Sequence, residues 1–365
     1  MYPVHRSPRG SRRLSVFLSI AAACLLIFST ACTTTTEPVY PGTSWERISR
    51  PEDAGYDSVR LAELTDYLEG LETTGMMVVT GGRVLYEYGD LDTLTYLASV
   101  RKSILSMLYG NYVADGTIDL DLTLEDLEMD DIGGLLPIEK RAKVDHLVTA
   151  RSGIYHPASN SGDNSADAPE RGSQEPGTYL LYNNWDFNAA GFAFEKMTGR
   201  DIYDALETDL ALLIGMQDFD RARQRKSGDL QRSRYPAYHM WLSVRDMARV
   251  GYLMLRDGDW AGEQVVPAEW ARRIRAAVTP VEEMNPERYK EGPFGYGYMW
   301  WVWDGPQAEG PYAGAYTGIG AYGQYICVLP ALDMVVAHKT APGRGVQVSR
   351  DQFFGILERI VSARM

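Results

Sequence analysis

The chain has 365 residues, of which 45% are hydrophobic, 11% aromatic and 23% charged. This is ordinary globular composition, which excludes a mostly disordered, collagen-like or multi-span membrane protein. The formal net charge of −13 repels phosphate backbones and anionic headgroups, and so argues against nucleic-acid binding.

Residues 1–31 read as a targeting segment, in which Arg6, Arg9, Arg12 and Arg13 precede the uncharged run Leu14–Ala31. That run sits at the lower edge of membrane-spanning length, so a retained anchor stays open. Ser29-Thr30-Ala31 offers small residues to a signal peptidase, and Cys32 follows at once. Small residues before a cysteine resemble a bacterial lipoprotein signal, which implies that Cys32 is lipidated and anchors the protein to a membrane. Ser29 stands where leucine is usual, and simple cleavage after Ala31 fits as well. Residues 32–44, including Thr33–Thr36 and Glu37-Pro38, read as a tether. Each alternative exports the domain, as a cell-envelope lipoprotein or a periplasmic protein. Cys24 and Cys32 both lie in this N-terminal stretch, which leaves no disulfide framework. Cys327, in the apolar run Tyr325–Leu329, reads as an inert strand thiol.

Beyond the tether, Asp57 is placed to cap a helix whose Leu61, Leu64, Leu68 and Leu71 recur on one face. Met76–Thr80 and Val84–Tyr88 form a predicted hairpin through Gly81-Gly82-Arg83. Helical spacing follows at Ile104–Val113, Val144–Ala150, Trp185–Met197, Ile202–Leu213 and Val244–Leu255. Tyr155–Gly177 is instead a long polar loop, of the kind that is functional or disordered. Tyr296–Trp303, Gln324–Leu329 and Met334–His338 read as strands, and a last helix carries Phe353, Phe354, Leu357, Ile360 and Val361. The fold class is therefore α+β. A sheet domain is built from residues 45–98 and 285–365, and a mainly helical domain spans 99–284, with a cleft at the junction.

Three features carry chemistry. The first is Ser99-Val100-Arg101-Lys102, opening a helix so that Ser99 and Lys102 share one face. A serine hydroxyl needs a base, and a lysine serves once desolvation and a helix N-terminus favour its neutral form. A solvated lysine after an N-cap serine would look the same, and one such pair is expected by chance in a chain this long. The second is Tyr182-Asn183-Asn184, where a phenol can shuttle a proton and Asn184 can position a carbonyl or Lys102. Tyr109-Gly110-Asn111 has the same spacing but lies ~15 Å along the helix from Ser99. The third is Tyr316-Thr317-Gly318-Ile319-Gly320, either a close-approach backbone segment or a plain turn. His239 is either a pocket residue or a packed histidine. The aromatic string Tyr296, Tyr298, Trp300, Trp301 and Trp303 reads mainly as strand packing. Asp163, Asp167, Glu170 and Glu175 read as a solvated acidic loop, or else as a pocket lip that favours amines. No His-Glu-x-x-His or paired Cys/His spacing suggests a metal site.

In this order the three features resemble the serine hydrolases of the class C β-lactamase and penicillin-recognising family. The resemblance covers roughly residues 50–360, including Glu175-Pro176-Gly177, Trp241–Ala248 and Tyr322–Tyr325, and is nearest the esterase and 6-aminohexanoate-oligomer hydrolase branch. It implies a β-lactamase-like fold: a five-stranded antiparallel sheet flanked by helices, plus an all-helical domain. It implies Ser99 as nucleophile, Lys102 as its activator, Tyr182 as general acid/base and Asn184 as a positioning group. Tyr316, Gly318 and Ile319 would be substrate-binding, with the Ile319 N–H joining that of Ser99 in an oxyanion hole. Tyr316 stands where the family's lysine binds the substrate carboxylate, which makes antibiotic and peptidoglycan substrates doubtful. The expected protein is an exported hydrolase of small esters or amides without metal or cofactor. Its rivals are a true β-lactamase or D,D-carboxypeptidase, and a catalytically idle ligand-binding protein on the same fold.

Overall fold

A computed structural model of the chain describes residues 38–341 and 345–365. The targeting segment, Cys32 and the first part of the tether lie outside the described residues. The part described, residues 38–44, is docked rather than free. Tyr252 donates to the Val39 carbonyl (2.9 Å), Tyr40 donates to Asp259 (2.9 Å), and the buried Arg249 donates to the Gly42 carbonyl (2.7 Å). The expected tether therefore stops short of residue 38.

The chain begins its regular structure with α1 (Ser58–Glu69), whose first amides are capped by Asp57 and whose Leu61, Leu64 and Leu68 are buried. Strands β1 (Gly75–Thr80) and β2 (Arg83–Gly89) follow. Gly81 and Gly82 both take positive φ (58° and 80°), as a two-residue turn matched to strand twist requires. Then come α2 (Val100–Ala114), α3 (Val144–Val148), α4 (Asn184–Thr198) and α5 (Ile202–Leu206). The expected helix Ile202–Leu213 gives way after Leu206 to a π-helical turn at Glu207–Ala211. Residues 155–177 form the long loop expected, with one 3₁₀ turn at Ser165–Asp167. The helices α6 (Val244–Leu255) and α7 (Ala268–Ile274) precede strands β3 (Phe294–Tyr296), β4 (Trp301–Trp303), β5 (Tyr316–Gly320), β6 (Gln324–Leu329) and β7 (Met334–Lys339). Helix α8 (Arg350–Ser362) closes the chain behind a Ser349/Gln352 capping box.

The main sheet has seven antiparallel strands in the order β2-β1-β7-β6-β5-β4-β3, not five. Two local events account for the difference. Tyr296–Trp303 is a hairpin rather than one strand, because Gly297 N–H bonds the Trp300 carbonyl (2.9 Å) around Met299 at φ 62°. The glycine-rich Tyr316–Gly320 is itself a strand, since Gly318 and Gly320 leave room for α2 while their backbone pairs with β6.

Alternation along β6 and β7 divides the core. Tyr325 and His338 face α8, where Tyr325 stacks on Phe353 (4.0 Å between centroids), while Ile326 and Val335 face α6 at Gly251. Helix α6 was expected within the helical domain, but its packing on β1, β6 and β7 makes it a layer of the sheet. Cys327 is buried and free, with burial pushing its thiol up to about 12. Among the described residues, no helix is long and apolar enough to cross a membrane.

The α6 contact generates a test. A Cβ on Gly251 would lie 2.5 Å from Val335 Cγ1 and 2.9 Å from Ile326 Cγ2. Gly251→Ala should therefore lower stability by ~1–3 kcal/mol in urea unfolding, although alanine is the better helix former. A stability gain would show that α6 does not seat this closely.

Candidate active site

Three anchors fix where α2 begins. Residues 95–96 pair with 241–242, Leu97 N–H donates to the Met240 carbonyl (3.0 Å), and the buried Lys339 ammonium reaches the Thr95 (3.1 Å) and Leu242 carbonyls. Ala98 then turns the chain through φ 48°, a left-handed conformation costly for alanine, into the half-buried N-cap residue Ser99. From Val100 to Gly110 every residue of α2 is buried, so its first three turns have no solvent face, and only the last turn reaches the surface. Ser103 Oγ donates to the Met299 carbonyl (2.7 Å), tying α2 to the β3–β4 turn.

Lys102 is enclosed by this packing. Its Nζ donates to Tyr182 OH and to Asn184 Oδ1, each at 2.8 Å, and lies 4.2 Å from the ring centroids of Tyr182 and Phe187. Burial, aided by the neighbouring Arg101 charge, holds the amine well below its ordinary range, against a weaker opposing pull from Asp163. Burial also raises the Tyr182 phenol, and the Ser99 hydroxyl beside it partly offsets that. Both shifts run toward free amine and intact phenol, a proton acceptor next to a proton carrier.

The second motif works because an extended segment becomes a helix at Asn184. Asn183 caps α4 by accepting from Asp186 N–H (2.9 Å), leaving the neighbouring Tyr182 and Asn184 side chains on Lys102. Asn184 Nδ2 donates to the Ser161 carbonyl (2.9 Å), which turns its oxygen toward the lysine. Asp163 accepts from the Asn184 N–H (2.7 Å). Asp163 thus belongs to the site. Asp167 and Glu175 are instead paired with Arg288 and Arg141, so the loop is not a free acidic lip.

Strand β5 runs alongside α2. A Cβ on Gly320 would meet Leu97 O at 2.5 Å and Ser99 N at 3.1 Å, and one on Gly318 would meet Ser103 Oγ at 3.1 Å. Continuing that match puts Tyr316 about 13 Å from Ser99. Tyr316 is fully buried, set edge-on to Trp300, with its hydroxyl accepting from Arg275 (3.3 Å). It is a core residue, and the expectation that it lines the substrate site is corrected. The β5 positions beside Ser99 and Ser103 are glycines and bring no cation. Ile319 is half-buried. Trp303 N–H bonds the Ala315 carbonyl and Trp301 pairs with Thr317, so Ile319 turns its backbone the same way, one step past the start of β4. His239 lies against Tyr96, with Nδ1 3.0 Å from the phenol oxygen, and burial pushes it down to about 4.

Residues 62–340 match the family model described as Beta-lactamase. The chain belongs to the Beta-lactamase family. A 6-aminohexanoate-dimer hydrolase from Paenarthrobacter ureafaciens is 26% identical over 309 residues, covering 76% of this chain and 75% of that one. Among solved structures, a Bacillus anthracis protein provisionally named a 6-aminohexanoate-dimer hydrolase superposes with TM-score 0.63 at 18% identity, over 87% of this chain and 86% of that one. EstCE1, a hydrolase with promiscuous acyltransferase activity, superposes with TM-score 0.61 at 16% identity, over 85% and 99%. The protein is a β-lactamase-fold hydrolase related to 6-aminohexanoate-dimer hydrolase.

Within this Beta-lactamase family chain, Ser99, Lys102, Tyr182 and Asn184 converge, Gly318 and Ile319 border them, His239 lies on the adjoining segment, and Tyr316 lies apart. Sequence reasoning missed Arg101, an unmarked position inside the first motif, and the role of Asp163, one acid among several in a polar loop. Because a Cβ on Gly320 would press on the Ser99 backbone, Gly320→Ala should slow fluorophosphonate labelling on the order of 10²-fold. Gly318→Ala meets only a side-chain hydroxyl and should slow it less. Equal labelling of wild type and Gly320→Ala would contradict this placement.

Proposed function

We propose that the protein is an exported serine hydrolase that cleaves small ester or amide substrates through an acyl-enzyme on Ser99, without metal or cofactor. The observation that carries this reading is the buried Lys102 amine held 2.8 Å from both Tyr182 and Asn184 beside the Ser99 hydroxyl. Ser99 Oγ gives its proton to the Lys102–Tyr182 pair and attacks the carbonyl carbon. The N–H groups of Ser99 and Ile319 stabilise the oxyanion that develops. Tyr182 returns the proton to the departing alcohol or amine, and water then releases the acid by the reverse route. His239, with Tyr96, borders the substrate cleft.

Substrate choice follows from the missing cation on β5. A substrate carboxylate there would be desolvated without a partner, a loss of ~1.5–3 kcal/mol. Uncharged esters and amides suffer no such loss. The paired acids of the 155–177 loop weaken the case for a preference for amines.

Short p-nitrophenyl esters should therefore be turned over, with nitrocefin a poor substrate by comparison. Ser99→Ala should abolish ester turnover, Lys102→Ala should slow it by orders of magnitude, and Tyr182→Phe should cost ~10²–10⁴. The Lys102→Ala/Tyr182→Phe double variant should lose far less than the product of the singles, because the pair acts as one unit. Undiminished turnover in Ser99→Ala would rule the assignment out, and nitrocefin hydrolysis matching that of esters would overturn the substrate reading.

Export rests on the N-terminal arginines, the apolar run and Ser29-Thr30-Ala31-Cys32. Cys32→Ser should release the protein from membranes if its lipid is the anchor. An unmodified Cys32 at the mature N-terminus, on soluble protein outside the cell, would leave simple secretion instead.

A further inference from the structure

Arg101 sits in the first turn of α2 between Ser99 and Lys102 and is 2% exposed. Its guanidinium lies over Tyr238 (4.3 Å to the ring centroid), and Nη2 donates to Asn188 Oδ1 at 3.3 Å. Nη1 is buried without a partner, and among the described residues no carboxylate pairs with this arginine. Among the described residues the other fully buried arginine, Arg249, donates from both terminal nitrogens to the carbonyls of Ile214 and Gly42, leaves only Nε without a partner, and has the Asp246 carboxylate nearby. An uncompensated charge in the interior is costly, and packing alone is met more cheaply by an apolar side chain. We propose that Arg101 is a positioning residue for proton transfer, its fixed positive charge holding Lys102 as the free amine that receives the Ser99 proton. This rests on the Ser99 reading above.

The surroundings let that charge act at a distance. Tyr238 and His239 face Arg101 from the 237–239 strand, Tyr96 from the segment before Ser99, and Tyr203 from α5. Burial keeps all four neutral near pH 7, raising the phenols and lowering the histidine. No anion in this ring cancels the guanidinium. Around Lys102 the facing groups are Tyr182 and Asn184, with Tyr296 of β3 behind the phenol; the one opposing acid is Asp163, which the Asn184 N–H engages. Arg101 is the second cause, after burial, of the low Lys102 range, and it also draws Tyr182 toward its anion. Both effects have one sign: each partner sheds its proton more readily.

The test is a titration of the full chain with ¹³Cε-labelled lysine, followed by NMR, beside the pH profile of p-nitrophenyl ester hydrolysis. Arg101→Met and Arg101→Gln should raise the Lys102 midpoint by about one to two pH units. The acid limb of turnover should move up with it, and activity should recover at higher pH. Arg101→Lys, which keeps the charge, should restore most of the shift. Asn188→Ala, which disturbs the same packing without removing charge, should leave the midpoint in place. Lys339, the other buried lysine, held down to about 7 by its own burial, is the internal control and should not move. A Lys102 midpoint unchanged in folded Arg101→Met or Arg101→Gln overturns the proposal. A shifted midpoint in a protein that turns over no ester would uphold the electrostatic role and sink the Ser99 reading instead.

Discussion

The enclosure of one lysine amine organises the site. Lys102 can be buried only if it gives up its charge or finds an anion, and the structure offers two neutral oxygens at 2.8 Å instead. To hold them there, α2 must run through the centre of the molecule, the 181–184 segment must switch from extended to helical at one residue, and Asp163 must fix the first amide of α4. The same burial that loosens the lysine's hold on its proton sets the phenol against losing its own.

The sheet serves this arrangement from the other side. The glycines of β5 bring a strand against the Ser99 backbone, which no side-chain-bearing residue at Gly320 would permit. Lys339 and residues 241–242 clamp the segment that enters α2, so the strained Ala98 is held from three directions. Solved structures of a hydrolase with promiscuous acyltransferase activity and of a Bacillus anthracis protein provisionally named a 6-aminohexanoate-dimer hydrolase share this fold. In this chain the β5 positions beside Ser99 are glycines and bring no cation.

Much of this was legible in the sequence because it depends on local periodicity and fixed spacing. Ser99-x-x-Lys102 and Tyr182-x-Asn184 state their chemistry within four residues, and α6 shows its face plainly at Val244–Leu255. What was not legible depends on tertiary register. Tyr316 and Gly318 are two residues apart, yet one lies in the core and the other beside Ser103, and only the match of β5 to α2 decides which. The break at Gly297–Trp300 is hidden because aromatic residues flank it on both sides and Met299 gives no turn signal. Residues 38–44 look like a linker by composition but are held by Arg249 and Tyr252, more than two hundred residues away.

The account stands or falls on a covalent bond to Ser99. Rapid quenching of the protein during turnover of a slowly deacylating p-nitrophenyl ester, followed by intact-mass and peptide analysis, measures it directly. The account predicts one acyl group per chain on the peptide containing Ser99, formed in step with a burst of nitrophenol. Ester turnover with no acyl adduct, or with the acyl group on another residue, would contradict it.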